Sequence, residues 1–426
     1  MSANKSSKAK RFMELEGLRG LAAIVVVLHH MVYMFYAPLN TGKLSADHSP
    51  FPFEQYIYGT PFALAYAGTL AVAIFFVLSG FVLSIGYFQT NDRSIIKKLA
   101  STRYLRLMLP ALASVMIAYL IIKLGLNGLV ANTAATVGGG SGYANALQFD
   151  ASFFDALKNG AIEIFISDRH PYNTVLWTMF IEFWGSFMVF AFLLLFARFK
   201  YRWLAYIGLS ALTFNTWFFA FVLGMIVADL YANGWFDRIR HRKYIVPGLV
   251  TGAIIFGSFP NQRIKGTFYE NFNIVQSLIP DLHRKMFFVT LASTMIIVAI
   301  LMSKTLASRL GRVSLLGRYT YSLYLTHKFV LFTFTSAVFL LLLPIGYNKA
   351  VLFTLLLSIP VIALVAFIFE KYVDAPSIRF AKYMAAMHKS DSRTDLRERI
   401  RVLGYKLDRI SQWPGERRLE PDNEER

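Results

Sequence analysis

The sequence is broken into apolar blocks, most of them close to the ~20 residues that cross a hydrocarbon core as a helix. They fall at roughly 18–38, 62–88, 105–124, 174–197, 203–214, 216–232, 245–258, 286–303, 320–343 and 349–370. In hydrocarbon each segment must bond its own backbone, so the blocks are expected to be helices. Hydrophobic residues reach 56% and charged residues only 16% of the 426 positions, where a soluble chain carries about a quarter charged. Disordered, collagen-like and ordinary globular classes are excluded. The expectation is an all-α, polytopic membrane protein with about ten transmembrane helices. The fifth and seventh blocks are short for a full crossing. Reading 203–232 as one kinked span would give nine, but ten makes the loop charges alternate.

Net charge is +19, from 44 Lys+Arg against 25 Asp+Glu. In a soluble protein that excess would suggest nucleic acid. Here the basic residues sit in alternate short loops: 1–17, 89–106, 198–202, 237–243 and 304–318. That pattern follows the positive-inside rule, placing these loops and both termini in the cytoplasm and excluding a nucleic-acid partner. Residues 39–60 and 125–171, the latter with a GGGSG stretch, belong outside. The loop at 259–285 carries Arg263, Lys265, Arg284 and Lys285 and fits this scheme least well. The first apolar run follows a basic stretch but contains His29 and His30 and no small-residue cleavage site, so an uncleaved first helix is expected. The setting is a cytoplasmic (inner) or plasma membrane. The sequence has no Cys, which removes disulfides, thiolate metal sites and a cysteine acyl-enzyme.

Past Glu370 the composition turns charged. A transmembrane domain is expected over 13–376 and a cytoplasmic tail over 377–426. In the tail Leu396, Ile400, Leu403, Leu407 and Ile410 form one apolar stripe, as on a helix lying on the membrane or the protein. The same stripe would also allow short self-association.

Ionisable groups inside apolar spans are costly and mark function by default. Arg19 and His30 lie eleven positions apart on the first span. That is ~16 Å along a helix and close to three turns, so they share a face, whereas His29 is ~100° away. Either His30 is a general base above an anion-binding Arg19, or it only bonds a neighbouring helix while Arg19 anchors the inner surface. Glu182, in WTMFIEFWGS, needs a cationic or hydrogen-bonding partner. It either orients a histidine, helps bind a sugar hydroxyl, or makes a structural salt bridge to an arginine. Arg103 and Arg106 in RYLR point the same way on a helix, which suits phosphate or plain topology charge. His327, in YSLYLTHKF, is either a second polar group of the site or a bond to an adjacent helix. Ser79 and Gly80 in FFVLSGF allow close helix approach, with Ser79 a further polar candidate.

The motifs of soluble enzymes are missing. There is no GxSxG, since Ser141 in GGGSGY lacks the second glycine, and no Walker A, HExxH or Rossmann fingerprint,. No metal site is expected.

Together these segments resemble one family. ELEGLRGLAAIVVVLHH resembles the first helix of the acyltransferase-3 family of integral membrane acyltransferases. FFVLSGF, RYLRLMLP, LWTMFIEFW and YSLYLTHKFV are similar to its later blocks, in the family's order. KYVDAPSIRF resembles the closing motif in a variant form, with Asp374 and Ala375 in place of an acid-basic pair. The resemblance covers roughly 13–376. It implies transfer of an acyl group, usually acetyl, from cytoplasmic acyl-CoA to a hydroxyl of a sugar, often in an exported polysaccharide or glycolipid. By motif match, His30 takes the catalytic histidine position, Arg19 the arginine, and Arg103 and Arg106 the arginine pair.

The chemistry suits this reading. An alcohol attacking a thioester needs a base, and histidine is the usual one. CoA carries phosphates, and Arg19, Arg103 and Arg106 place basic groups toward the cytoplasm. The site expected is His30, Arg19 and Glu182 for catalysis, Arg103 and Arg106 for acyl-CoA, with Ser79 and His327 nearby. Acyl-CoA is a donor substrate here, and no permanently bound cofactor is expected. The rival is a transporter or flippase for a glycolipid or small anion, using buried His and Glu as a proton relay.

Overall fold

The computed structural model describes residues 12–43, 53–137, 143–261, 264–272, 279 and 282–387. Among these residues the chain is helical with no strand. We number the helices of the bundle α1 (Met13–Phe35), α2 (Gly68–Thr90), α3 (Arg93–Lys123), α4 (Trp177–Leu195), α5 (Arg202–Thr213), α6 (Phe218–Ala232), α7 (Arg242–Gly257), α8 (Arg284–Met302), α9 (Lys304–Arg312), α10 (Leu316–Val330), α11 (Tyr347–Phe369) and α12 (Ala375–Met387). Every one of the ten apolar blocks is helical. Seven helical stretches are long and apolar enough to cross a membrane: α1, α2, α3, Thr174–Leu195, α8, Leu316–Ile345 and Tyr347–Met387. The remaining three blocks form α5, α6 and α7, of 12, 15 and 16 residues, shorter than the ~20 of a full crossing.

Residues 93–106 are not the loop that their charge suggested. They form the first turns of the 31-residue α3, because Lys and Arg are good helix formers and Asp92 caps the start, accepting the backbone N–H of Ser94 at 2.8 Å. Similarly, α12 carries helix past the expected end of the membrane domain. The apolar stripe at 396–410 lies outside the described residues.

Close packing of α2 on α6 follows from two glycines. A Cβ on Gly80 would stand 2.2 Å from the carbonyl oxygen of Phe221, and one on Gly224 would stand 2.0 Å from that of Val77. FFVLSGF is thus a site of close helix approach, as its small residues predict. α5 is tied to α6 by a two-pronged ion pair, Arg202 to Asp229 at 2.7 and 2.8 Å, with the Tyr206 hydroxyl also donating to Asp229 at 3.1 Å. α10 is tied to the end of α11 by Arg318, which donates to both oxygens of the buried Glu370 at 2.7 and 3.1 Å.

α10 runs through the interior with Ser322, Tyr324, Thr326, His327 and Lys328 all buried. It continues into a π-helical turn, Leu331–Thr335, and a second such turn, Glu370–Asp374, joins α11 to α12. Such turns cluster at functional sites.

Candidate functional site

Two polar layers lie along the interior face of α1. The first surrounds its N-terminal half. Arg19 pairs with Glu16 one turn earlier at 3.6 Å. Arg103 points inward from α3, donating from Nε to Ser186 at 2.7 Å and from Nη2 to Oε1 of Glu182. The same carboxylate oxygen accepts the Ser79 hydroxyl at 2.6 Å. Of the roles open to Glu182, the structure shows the salt bridge to an arginine and brings it to no histidine.

Arg103 and Arg106 therefore do not present two open forks together. Arg103 is buried and engaged. Arg106 retains solvent-accessible surface yet lies within electrostatic reach of Arg103, Arg19, Asp374 and Glu182. Among the described residues it makes no hydrogen bond or ion pair.

The second layer surrounds the other half of α1. Nδ1 of His30 lies 2.5 Å from the hydroxyl of the buried Tyr143. The His327 ring is 5.1 Å from the His30 ring, and the His29 ring is 5.2 Å from it. Nδ1 of His327 is 2.9 Å from the carbonyl oxygen of Leu323. A carbonyl only accepts, so this nitrogen carries the proton and Nε2 is a bare acceptor. That Nε2 is buried and has no partner among the described residues. His29 likewise donates from Nδ1 to the carbonyl oxygen of Tyr66 at 3.1 Å, and its ring stacks on Tyr33. Burial, with Tyr33 nearby, pushes the Tyr143 phenol well above its ordinary value, so it stays a neutral hydroxyl.

Tyr324 and Tyr321 connect the layers. The Tyr324 hydroxyl bonds Thr178 at 2.9 Å and the Val175 carbonyl at 2.7 Å, with its ring 6.4 Å from that of His327. The Tyr321 hydroxyl donates to the carbonyl of Leu107 at 2.9 Å.

A cleft of about 1150 Å³ opens where α2, α4, α6 and α8 begin, its wall including Phe180, Trp217, Asn215 and Asn261. A smaller cavity of about 30 Å³ continues inward to His29. Thr69, Phe259, Pro260, Asn261 and Lys285 line both.

The structure thus brings His30 and His327 together in one layer and Arg19, Arg106, Arg103, Glu182 and Ser79 around the other. Sequence reasoning missed three residues that the fold sets in or beside these layers: Tyr143, Asp374 and Lys328, whose ammonium lies over the Tyr143 ring. Tyr143 is an ordinary loop residue until the fold sets it against His30. Lys328 was read only as part of a motif. Asp374 had no role until the structure placed it within reach of Arg106.

A multi-span helical bundle with histidine and arginine layers on its first helix defines an integral membrane protein with an enzyme-like interior. The family model described as "Acyltransferase domain" matches residues 13–370, and the chain belongs to this acyltransferase-3 family. It is similar to the O-acetyltransferase PaAT-1 of Phomopsis amygdali, at 23% identity over 428 residues, covering 87% of this chain and 83% of that protein. No solved structure matches the chain.

Proposed function

We propose that this acyltransferase moves an acyl group, acetyl being the expected one, from acyl-CoA to a hydroxyl, with a sugar of an exported polysaccharide or glycolipid as the acceptor. The family supplies the reaction class, and the relative's name supports oxygen as the accepting atom. The observation that carries the reading is the His30–Tyr143 contact on the family's first helix. The phenol can accept from Nδ1–H,, and in that tautomer Nε2 of His30 is the basic nitrogen. A base must present a lone pair to the alcohol it deprotonates.

The donor binds at the other layer in this reading. Arg106, with Arg19 nearby, offers guanidinium groups to the phosphates of CoA. The pantetheine arm then runs along α1 and brings the thioester to His30, ~16 Å further along the helix. The acceptor approaches from the cleft that leads to His29. Glu182 acts at one remove, holding Arg103 and Ser79 in place. The positive-inside pattern puts the arginine layer on the cytoplasmic side.

The test is acetyl transfer from labelled acetyl-CoA to a glycolipid and glycan extract, normalised to folded protein. His30→Ala should abolish transfer, whereas His29→Ala, whose ring is tied to Tyr66 and Tyr33, should retain substantial activity. An active His30→Ala variant would remove the assignment.

A further inference from the structure

Lys328 has no role in the reading above. It is 3% exposed and follows His327 on α10. Its ammonium donates to the hydroxyl of Thr174 and lies 4.7 Å from the ring centroid of Tyr143 and 5.2 Å from that of Phe332. Among the described residues no carboxylate pairs with it. A cation buried in a bilayer protein normally has an anionic partner. Two ring faces and one hydroxyl compensate only part of the lost hydration, and an ammonium has three donors to satisfy.

The position of this cation is informative. The Tyr143 ring that faces Lys328 carries the hydroxyl that contacts His30. Base and cation therefore flank one phenol. Acyl transfer needs this pair of functions. As the base takes the alcohol's proton, the alcohol oxygen bonds to the thioester carbon, and the carbonyl π pair moves onto oxygen. That oxygen then holds a negative charge which must be stabilised in a water-poor site.

We propose that Lys328 forms an oxyanion site for the tetrahedral intermediate of acyl transfer, a catalytic role, with Tyr143 as the positioning residue that holds Lys328 and His30 on either side of the reacting carbonyl. The assignment rests on the acyl-transfer reading. The alcohol's proton passes to Nε2 of His30, and the new C–O bond forms as the carbonyl oxygen becomes anionic beside Lys328. On collapse the C=O bond re-forms, the C–S bond breaks, and the His30 proton goes to the departing CoA sulfur. Acyl-CoA and alcohol become ester and CoA–SH, and no further reactant is required.

The experiment measures CoA thiol released from acetyl-CoA by the purified full chain, with a total glycolipid extract as acceptor pool. The chain has no Cys, so it adds nothing to a thiol assay. Lys328→Met should lower kcat by ~10²–10³-fold, as loss of one oxyanion donor does, while acetyl-CoA affinity and the thermal midpoint in detergent stay near wild type. A purely structural Lys328 would instead lower the midpoint. Should Lys328→Met fail to accumulate, Lys328→Gln, which can keep the bond to Thr174 without the charge, carries the same outcomes. A variant turning over at the wild-type rate overturns the oxyanion site alone. So does a loss matched by an equal loss of acetyl-CoA affinity. A wild-type chain that releases no CoA overturns the acyl-transfer reading, and the oxyanion site with it.

Discussion

The hydroxyl of Tyr143 stands 2.5 Å from Nδ1 of His30, although 113 residues separate them in the chain. On the proposed reading, the contact at Nδ1 leaves Nε2 as the nitrogen that meets the substrate. A base acting alone contributes ~10²–10⁴-fold, so His30→Ala should lose at least that much. Tyr143→Phe keeps the imidazole but frees it to turn. A loss of ~10²-fold is expected, the scale of a small misplacement. It should appear in kcat and leave the KM for acyl-CoA unchanged. A Tyr143→Phe enzyme at full rate would show that the contact does not orient the base.

Glu182 makes a different kind of prediction. Its Oε1 accepts from both Arg103 and Ser79, and the Arg103 and Glu182 side chains are only 10% and 14% exposed. Removing one partner of such a pair strands a buried charge and costs about 3–5 kcal/mol. Glu182→Ala should therefore depress the thermal midpoint and the folded yield before any effect on catalysis is read. The double variant Glu182→Met with Arg103→Leu should recover much of the stability. Normal stability of the single variant would return Glu182 to the list of direct site residues.

The helices were legible because apolar blocks of spanning length admit few alternatives to helix, and all ten blocks are helical. His30 was legible because a polar side chain in such a block is conspicuous. Partners were not. Arg103 and Glu182 stand 79 residues apart, and no local pattern says that they meet rather than that Glu182 meets a histidine. Charge also misled over 93–106, since positive residues mark the membrane side but are compatible with helix. Tyr143 was hidden for a simpler reason: a tyrosine in a polar loop carries no signal until tertiary packing buries it.

Outside the spans, an acid-sensitive network ties the segment 153–172 together. Arg169 donates to Asp155 at 2.8 Å and to Glu163 at 2.6 Å, and Lys158 lies 2.9 Å from Glu163. Burial opposes ionisation of Glu163, but hydrogen bonds from Arg169, Lys158 and Asn159 outweigh it and hold the carboxyl down to about 2 from its usual 4.5. A carboxyl with a depressed folded pKa stabilises above its unfolded pKa and loses that contribution as pH falls through the folded one. Hydrogen-exchange protection of 153–172 should therefore be constant above about pH 5 and decline toward about pH 2. Glu163→Gln should flatten this dependence. An unchanged profile would assign the acid sensitivity to other carboxyls.

The crossing of α2 on α6 offers a test of packing. Alanine at Gly80 or Gly224 drives a methyl group into a partner backbone carbonyl, and backbone cannot step aside as a side chain can. A cost at or above the usual ~1–3 kcal/mol of overpacking is expected, seen as a lower thermal midpoint. Gly208 on α5 has nothing within 4 Å of its Cβ position. Gly208→Ala should be neutral or slightly stabilising, since alanine favours helix by ~0.5–1 kcal/mol. Equal tolerance at all three positions would mean that the helices cross further apart.

Arg106 and Arg103 share a motif but should respond differently to substitution. Arg106 is accessible and makes no hydrogen bond or ion pair among the described residues, so Arg106→Ala breaks no direct pair and the protein should stay folded. If the guanidinium binds CoA phosphate, its loss removes a charge-assisted bond worth ~1.5–3 kcal/mol, or ~10–100-fold in Kd. Arg106→Lys should recover only part of that, because a point charge cannot reproduce the two-pronged geometry. Arg103→Ala should instead destabilise the fold by stranding Glu182. Titration calorimetry of CoA against each variant, with thermal midpoints measured in parallel, separates the two. Unchanged CoA affinity in Arg106→Ala would leave Arg106 as a charge that marks the membrane side and nothing more.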